Sequence, residues 1–317
     1  MVVVPAFSHN PSPGFVLSVA GVILECIETE EQSMTLPPIL VAGGTGTLGQ
    51  QVVSRLQEAG RDVRVLSRRS RTSQDGLIFA TGDLATGEGL PAAVHGVGTI
   101  VHCASNRNGD VEATRNLVRA AAQEKQGMQG NLPHLVYISI VGIDRFPRGY
   151  FKAKLEAEGV ITDSGLPWTV LRATQFYELI ARGAARLAKL PVIPVPAGFV
   201  VQPVDSGEVA ARLAELALSE PRGRVPDMAG PQILSFADLI RMYLSATGRR
   251  PRPVVPVWTP GIGPIRAGAL YPRPEAEATL GHRTWSDFLA SCSPGKQQTA
   301  EQQVAEQQTG ERQTEAG

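Results

Sequence analysis

The chain has 317 residues, 43% of them hydrophobic and 19% charged, with 30 Lys and Arg balanced by 30 Asp and Glu. That length allows one large or two small domains with a real core, and the balanced charge excludes the basic excess of a nucleic-acid-binding surface. Three scattered cysteines (Cys26, Cys103, Cys292) give neither a disulfide framework nor a zinc spacing, the five histidines form no ligand pair, and a reducing cytoplasm with no bound metal is the expected setting.

The first apolar run, FVLSVAGVIL (15–24), is too short to span a bilayer. No Lys or Arg precedes it, as one would in a signal peptide, and no membrane partner is expected. MTLPPILVAGG from Met34 reads as a natural start, so residues 1–35 are expected to be an extension, with an extra element packed on the domain as the alternative. PILVA (38–42) predicts a buried strand, and the following segment places Leu48, Val52, Val53, Leu56 and Ala59 on one helical face. DVRVLSR (62–68), GLIFATGDL (76–84) and GTIVHCAS (98–105) hold three further strands. A helix over 110–124, a strand HLVYISI (134–140), a helix over 150–163 and a strand WTVLRA (168–173) follow. This alternation predicts an α/β fold with a doubly wound parallel sheet of Rossmann type over 36–173 and right-handed crossovers. Residues 174–292 are less regular and Pro-dense, with helices near 174–188, 206–219 and 235–247 and extended pieces at 192–196, 199–204 and 254–257. They are expected to form a smaller substrate lobe leaning on the sheet. The Gln-, Glu- and Thr-rich residues 293–317 hold almost nothing apolar and are expected to be a disordered tail.

Between the first strand and its helix stands Gly43-Gly44-Thr45-Gly46-Thr47-Leu48-Gly49. In this strand–turn–helix context Gly43 suits a tight turn, Gly46 lets backbone N–H groups approach a pyrophosphate, and Gly49 permits close packing of helix on strand. The helix N-terminus adds a positive dipole end and free donors. The second strand ends in Ser67-Arg68-Arg69, where an NAD-preferring fold has an acid for the ribose 2′-hydroxyl. Arg68 there suits a 2′-phosphate, favouring NADP(H) over NAD(H); a solvated basic loop is the plain alternative.

These features are joined by GDL (82–84), YISIVGID (137–144), YFKAKLEAE (150–158), SGLPWTVLRATQFYE (164–178), QPVDSGEVA (202–210) and AGPQILSFADL (229–239). With the GxxGxxG of Gly43, Gly46 and Gly49, they make residues 36–290 similar to the atypical short-chain dehydrogenases/reductases, in particular the NmrA-like NAD(P)H-binding proteins. The resemblance implies adenine contacts at Asp83 and Leu84, although Asp83 also suits a turn bonding its own backbone. It implies passage of Cys103, Ala104 and Ser105 beside the cofactor ribose, with the Cys103 side chain read as core. Tyr150 and Lys154 have the YxxxK spacing, one helical turn apart. By resemblance Lys154 holds the nicotinamide ribose and favours the phenolate of Tyr150, which exchanges the proton; packing at a helix start is the alternative. The family's usual catalytic serine falls nearer Val141 here, and Ser139 is expected to satisfy backbone groups instead. Gln175, Phe176 and Tyr177 turn toward the substrate by analogy or pack between lobes, Asp205 reads as an N-cap, and His102, Trp168 and Trp285 as structural.

Two functions stand. One is an NADP-dependent oxidoreductase passing hydride to a small carbonyl, quinone or enone. The other is a non-catalytic NADP sensor acting through a protein partner. Substrate identity and oligomeric state are not encoded in these motifs.

Overall fold

Ile39–Ala42 (β1) is apolar and buried at every position, as a strand covered on both faces of a parallel sheet must be. Its alternate residues serve different cores: Ile39 and Val41 face one layer of helices, Leu40 and Ala42 the other. The computed structural model describes residues 36–73, 77–105, 109–123 and 132–292, and the described residues from Pro37 onward fall in one compact unit. The expected extension and tail lie outside the described residues.

After β1 come α1 (Thr47–Glu58), β2 (Val63–Ser67), β3 (Leu77–Thr81), α2 (Leu90–Val94), β4 (Thr99–His102), α3 (Asp110–Gln123), β5 (His134–Ile140), α4 (Tyr150–Thr162) and β6 (Trp168–Ala173). The second half holds α5 (Tyr177–Leu187), β7 (Ile193–Pro196), β8 (Val200–Val201), α6 (Ser206–Ala217), β9 (Gly223–Arg224), β10 (Asp227–Ala229) and β11 (Leu234–Ser235). It ends with α7 (Phe236–Ala246), β12 (Val254–Val257), α8 (Gly263–Arg266), β13 (Ala278–Leu280) and α9 (Trp285–Ser291).

The main sheet runs β13-β10-β6-β5-β4-β1-β2-β3, with β9 also paired to β6, and its pairings are parallel. The order 3-2-1-4-5-6 within it is the doubly wound Rossmann arrangement, whose ligand crevice lies at the carboxyl ends of β1 and β4, where the winding reverses. β1, β2, β5, β6 and the helices α1, α3 and α4 fall within a residue or two of their expected bounds; β4 ends three residues before its expected stretch, and α2 was not expected. β3 is shorter than its stretch because the chain turns after Gly82, Gly87 N–H donating to the Asp83 carbonyl at 2.8 Å. The short strands β9, β10 and β13 carried no readable pattern, since two or three residues give no period.

Residues 174–292 divide their work. α6 returns to the sheet and packs Val209, Ala210 and Leu213 into the core that α1 covers, while β9, β10 and β13 widen the sheet. α5, β7, α7, β12, α8 and α9 gather around two further cores, one centred on Tyr177, Trp285 and Phe288. Trp285 is fully buried and donates its indole N–H to the Leu239 carbonyl at 3.2 Å, as expected of an anchor.

His102 closes β4, buried, with Nε2 at 3.1 Å from Thr114 Oγ1. Burial, with the Lys154 charge adding to it, lowers its imidazole from 6.5 to about 3. The unfolded chain therefore binds more protons than the folded one between those values. Stability is full above about pH 6.5 and declines by about 1.4 kcal/mol per pH unit as pH falls through that window. Urea unfolding midpoints near neutrality and near pH 5 are expected to separate in the wild type and to draw together in His102→Gln.

Candidate functional site at the sheet's switch point

The carboxyl ends of β1 and β4 touch. Cys103 N–H donates to the Ala42 carbonyl at 2.8 Å, carrying the β4 strand's path past its end. Gly43 sits at φ +84°, and a Cβ there would stand 2.5 Å from the Ala104 nitrogen. Both features need glycine: the left-handed backbone and the neighbouring loop. A Cβ on Gly49 would collide with the Gly43 carbonyl oxygen, so the helix presses on the turn itself and not, as expected, on a strand. Gly46 differs. It is exposed at the N-cap of α1, and the Gly43 carbonyl at 3.3 Å is the sole neighbour that its Cβ would meet within 4 Å. The first turn of α1 carries no acid and no side-chain cap. Thr45, Gly46 and Thr47 are exposed around it, while Leu48 and Gly49 are buried. The fold explains Gly43 and Gly49 by itself; it leaves Gly46 as open backbone at a helix N-terminus, the feature a phosphate group needs.

Beside this turn stands a chain of polar groups. Tyr150 opens α4, and its hydroxyl is in close contact with the Ser105 hydroxyl, three residues past β4. Ser105 Oγ also donates to Asp110 Oδ2 at 3.2 Å, and Lys154 Nζ lies 3.7 Å from the same oxygen. Lys154 is only 2% exposed. It donates to the Ile138 carbonyl at 3.2 Å and lies 4.4 Å from the centre of the Tyr137 ring. Burial holds its ammonium below the usual lysine range, while Asp110 opposes that shift. Burial also raises the Tyr137 phenol, with Asp110 and Tyr150 adding to it. Cys103 packs against the core, and burial pushes its thiol up to about 12 against the opposing Lys154 charge, which suits the reading of its side chain as core.

The remaining expected residues scatter by role. Arg68 is exposed just past β2, next to a turn in which Arg69 N–H donates to Ser67 Oγ. Asp83 is half-buried and accepts from Ala85 N–H at 2.8 Å, the local turn bond, while Leu84 packs on the core beneath it. Val141 is fully buried. Ser139 donates to the Glu158 carboxylate at 2.7 Å, not to backbone. Tyr177 is buried against Trp285 and Phe288 and donates to the Arg283 carbonyl, so its ring packs within that core. Asp205 caps α6, accepting from Gly207 and Glu208 N–H. Gln175, just past β6, has both side-chain polar atoms buried with no hydrogen-bond partner among the described residues.

Two features escaped the sequence reading. Asp110, the acid that bridges Ser105 and Lys154, looked like an ordinary first-turn carboxylate. Arg172 in β6 is buried and pairs with Glu158 at 2.7 Å and Asp144 at 3.0 Å. A lone charge inside an apolar strand was the available signal.

Residues 43–192 match the family model described as NAD(P)H-binding. Over these residues the chain carries an NAD(P)H-binding domain, as its resemblance to the NmrA-like atypical short-chain dehydrogenases/reductases implies. The chain is 29% identical over 274 residues to (4-alkanoyl-5-oxo-2,5-dihydrofuran-3-yl)methyl phosphate reductase of Streptomyces griseus, covering 82% of this chain and 92% of that one. It is 26% identical over 221 residues to the photosystem II assembly factor Ycf39 of Trieres chinensis, covering 67% of this chain and 69% of the relative. Its fold matches an Escherichia coli NADPH-dependent quinone oxidoreductase solved with NADPH, at TM-score 0.66 and 17% identity, over 80% of this chain and 99% of that one. Among the described residues no helix is long and apolar enough to cross a membrane, and no cluster of His, Cys, Asp and Glu could hold a metal ion.

The contrast between the glycines is testable. Gly49→Ala is expected to lower the melting temperature by several degrees or abolish folding, because backbone must move. Gly46→Ala should shift it by no more than about 2 °C, yet weaken NADPH binding about tenfold or more, read by nicotinamide fluorescence.

Proposed function

We propose that this oxidoreductase is NADP(H)-dependent and reduces a small carbonyl or quinone-like acceptor at the carboxyl ends of β1, β4 and β5. The observation that carries this is the contact of the Tyr150 and Ser105 hydroxyls directly beside the glycine turn. The bound nicotinamide supplies hydride; the chain's own residues bind, orient and move a proton. The backbone N–H groups of Thr47, Leu48 and Gly49 would hold the pyrophosphate, with Thr45 and Gly46 leaving room for it. Arg68 would meet the 2′-phosphate, Asp83 and Leu84 would border the adenine, and Ala104 and Ser105 the ribose.

Tyr150 Oη gives its proton to the acceptor oxygen. The phenolate left behind is held by the Ser105 hydroxyl, which turns to it from Asp110. Lys154 stays in its buried pairing, where it offsets the Asp110 carboxylate that would otherwise oppose the phenolate. Gln175 offers an amide with both ends unsatisfied, suited to the nicotinamide carboxamide or the acceptor carbonyl.

Support for the reductive reading also comes from the names of the Streptomyces relative, a reductase, and of the E. coli structure, an NADPH-dependent quinone oxidoreductase. A second reading, a nucleotide-binding protein acting through a protein partner, is favoured by the burial of Lys154 and by the assembly-factor relative.

Titration with NADPH and NADH, with Arg68→Ala alongside, tests the cofactor. NADPH is expected to bind more tightly, and the substitution to erase about tenfold or more of that preference. Oxidation of bound NADPH by a panel of quinones and carbonyls then tests the chemistry. Tyr150→Phe is expected to lose about 10²-fold or more in kcat while keeping NADPH affinity, and Ser105→Ala to fall between it and the wild type. Unchanged turnover in Tyr150→Phe would remove the tyrosine from the mechanism; absence of turnover in the wild type with tight NADPH binding would favour the partner-dependent reading.

A further inference from the structure

The balanced net charge of the chain conceals an uneven distribution. Residues 179–204 hold three cations (Arg182, Arg186, Lys189) and no acid, and residues 239–274 hold six (Arg241, Arg249, Arg250, Arg252, Arg266, Arg273) and no acid. The fold brings these two segments together as a small ribbon, β7 paired in parallel with β12. One face of the ribbon, Ile193, Val195 and Val254, packs on the core formed with α5 and α7. The register sets Pro194 opposite Val255 and Pro196 opposite Val257 on the other face, and Val192 joins them by the two-residue period of a strand.

That outer face is apolar along its length and open to solvent. Val192, Pro194, Val255 and Val257 are exposed, and Trp258 at its end is 76% exposed. No described element covers it. Isolated exposed apolar residues are ordinary, but a contiguous apolar face ending in a bare tryptophan marks an interaction surface.

Because the two strands are parallel, the chain comes into both from the same end. Lys189 precedes β7; Arg249, Arg250 and Arg252 precede β12; and Arg252 donates to the Leu190 carbonyl, holding the two incoming segments side by side. Arg266 closes the other end, donating to the Ala197 carbonyl at 2.7 Å. The face is therefore rimmed by cations at both ends. Two copies stacked on this face would bring cation onto cation in either orientation, which argues against self-association. Valine and proline side chains offer no hydrogen-bonding groups with which to recognise a particular peptide. A tryptophan, flat aliphatic cover and a cationic rim suit the interface of an anionic lipid bilayer.

We infer that the β7–β12 ribbon is a peripheral membrane-docking surface, with Val192, Val255, Val257 and Trp258 entering the headgroup region and Lys189, Arg249 and Arg250 resting on anionic lipid headgroups. The expectation of no membrane partner rested on the lack of a spanning segment, which surface binding does not require. The inference is independent of the redox reading.

The test is co-sedimentation of the full chain with vesicles of phosphatidylcholine alone and of phosphatidylcholine mixed with phosphatidylglycerol. Binding to the anionic vesicles, weakened by salt, is expected, with little to the neutral ones. Replacing Lys189, Arg249 and Arg250 together by Ala should weaken binding roughly fivefold per cation removed. Val255→Ser with Val257→Ser should also release the protein. The tryptophan emission should shift to the blue on anionic vesicles, and Trp258→Phe should remove that shift, because Trp285 is already buried and Trp168 packs against the sheet's core, away from the ribbon. NADPH affinity serves as the check that each variant is folded. Equal binding to both vesicle types, no binding to either, or binding unaffected by the ribbon substitutions would each overturn the inference. So would a concentration-dependent dimer that Val257→Glu dissociates, since it would give the face to a second copy.

Discussion

Two backbone loops share one small space at the carboxyl ends of β1 and β4, and most of the site is arranged around that approach. Gly43 lies against the backbone of Cys103 and Ala104, so a side chain at Gly43 would force β1 and β4 apart at their ends. The closeness puts the glycine turn and Ser105 in one place. Ser105 in turn reaches Tyr150 across a sequence separation of 45 residues. The helix-end donors and the hydroxyl pair therefore lie together, joined by the parallel pairing of β1 with β4.

The polar groups beside the glycine turn show the same economy. A family pattern that places a serine after β5 meets Val141 here, fully buried. The hydroxyl comes instead from the loop after β4, and the buried carboxylate of Asp110 lies between it and Lys154. A buried lysine on its own would lose its charge. Asp110, the Ile138 carbonyl and the Tyr137 ring compensate it from three sides. The separate Arg172–Glu158–Asp144 group, joined by Ser139, shows the same rule on β5, β6 and α4: each buried charge is met by an opposite one and by a hydrogen bond.

What the sequence disclosed follows from how locally each feature is encoded. β1, β5 and β6 announced themselves as apolar runs because both faces are buried, and the glycine turn was legible because strand, turn and helix are contiguous. Tyr150 and Lys154 were legible by spacing on one helix. Asp110 and Ser105 were not legible as partners of either, because their link exists only once β4 and β5 are paired. The ribbon of β7 and β12 was visible as two extended pieces, but its apolar outer face was not. Alternation tells which residues share a face, and only the packing of α5 and α7 decides which face is left bare. Asp205 was read correctly as a cap because capping is a contact within three residues.

The loop that leads into Tyr150 is held from far along the chain. Gly142 lies so near the Ala269 carbonyl that it has no room for a side chain, and Arg145 donates to the carbonyls of Gly268 and Tyr271 at 2.9 and 2.6 Å. The order of synthesis therefore divides the site in time. A chain emerging from the ribosome has its glycine turn and the loop after β4 once β4 has paired with β1, but the approach to Tyr150 has no anchor until about 120 residues later. A nascent chain of intermediate length can shape the nucleotide end of its crevice while the reacting end is still unframed, so the protein becomes a folded cradle before it becomes a catalyst.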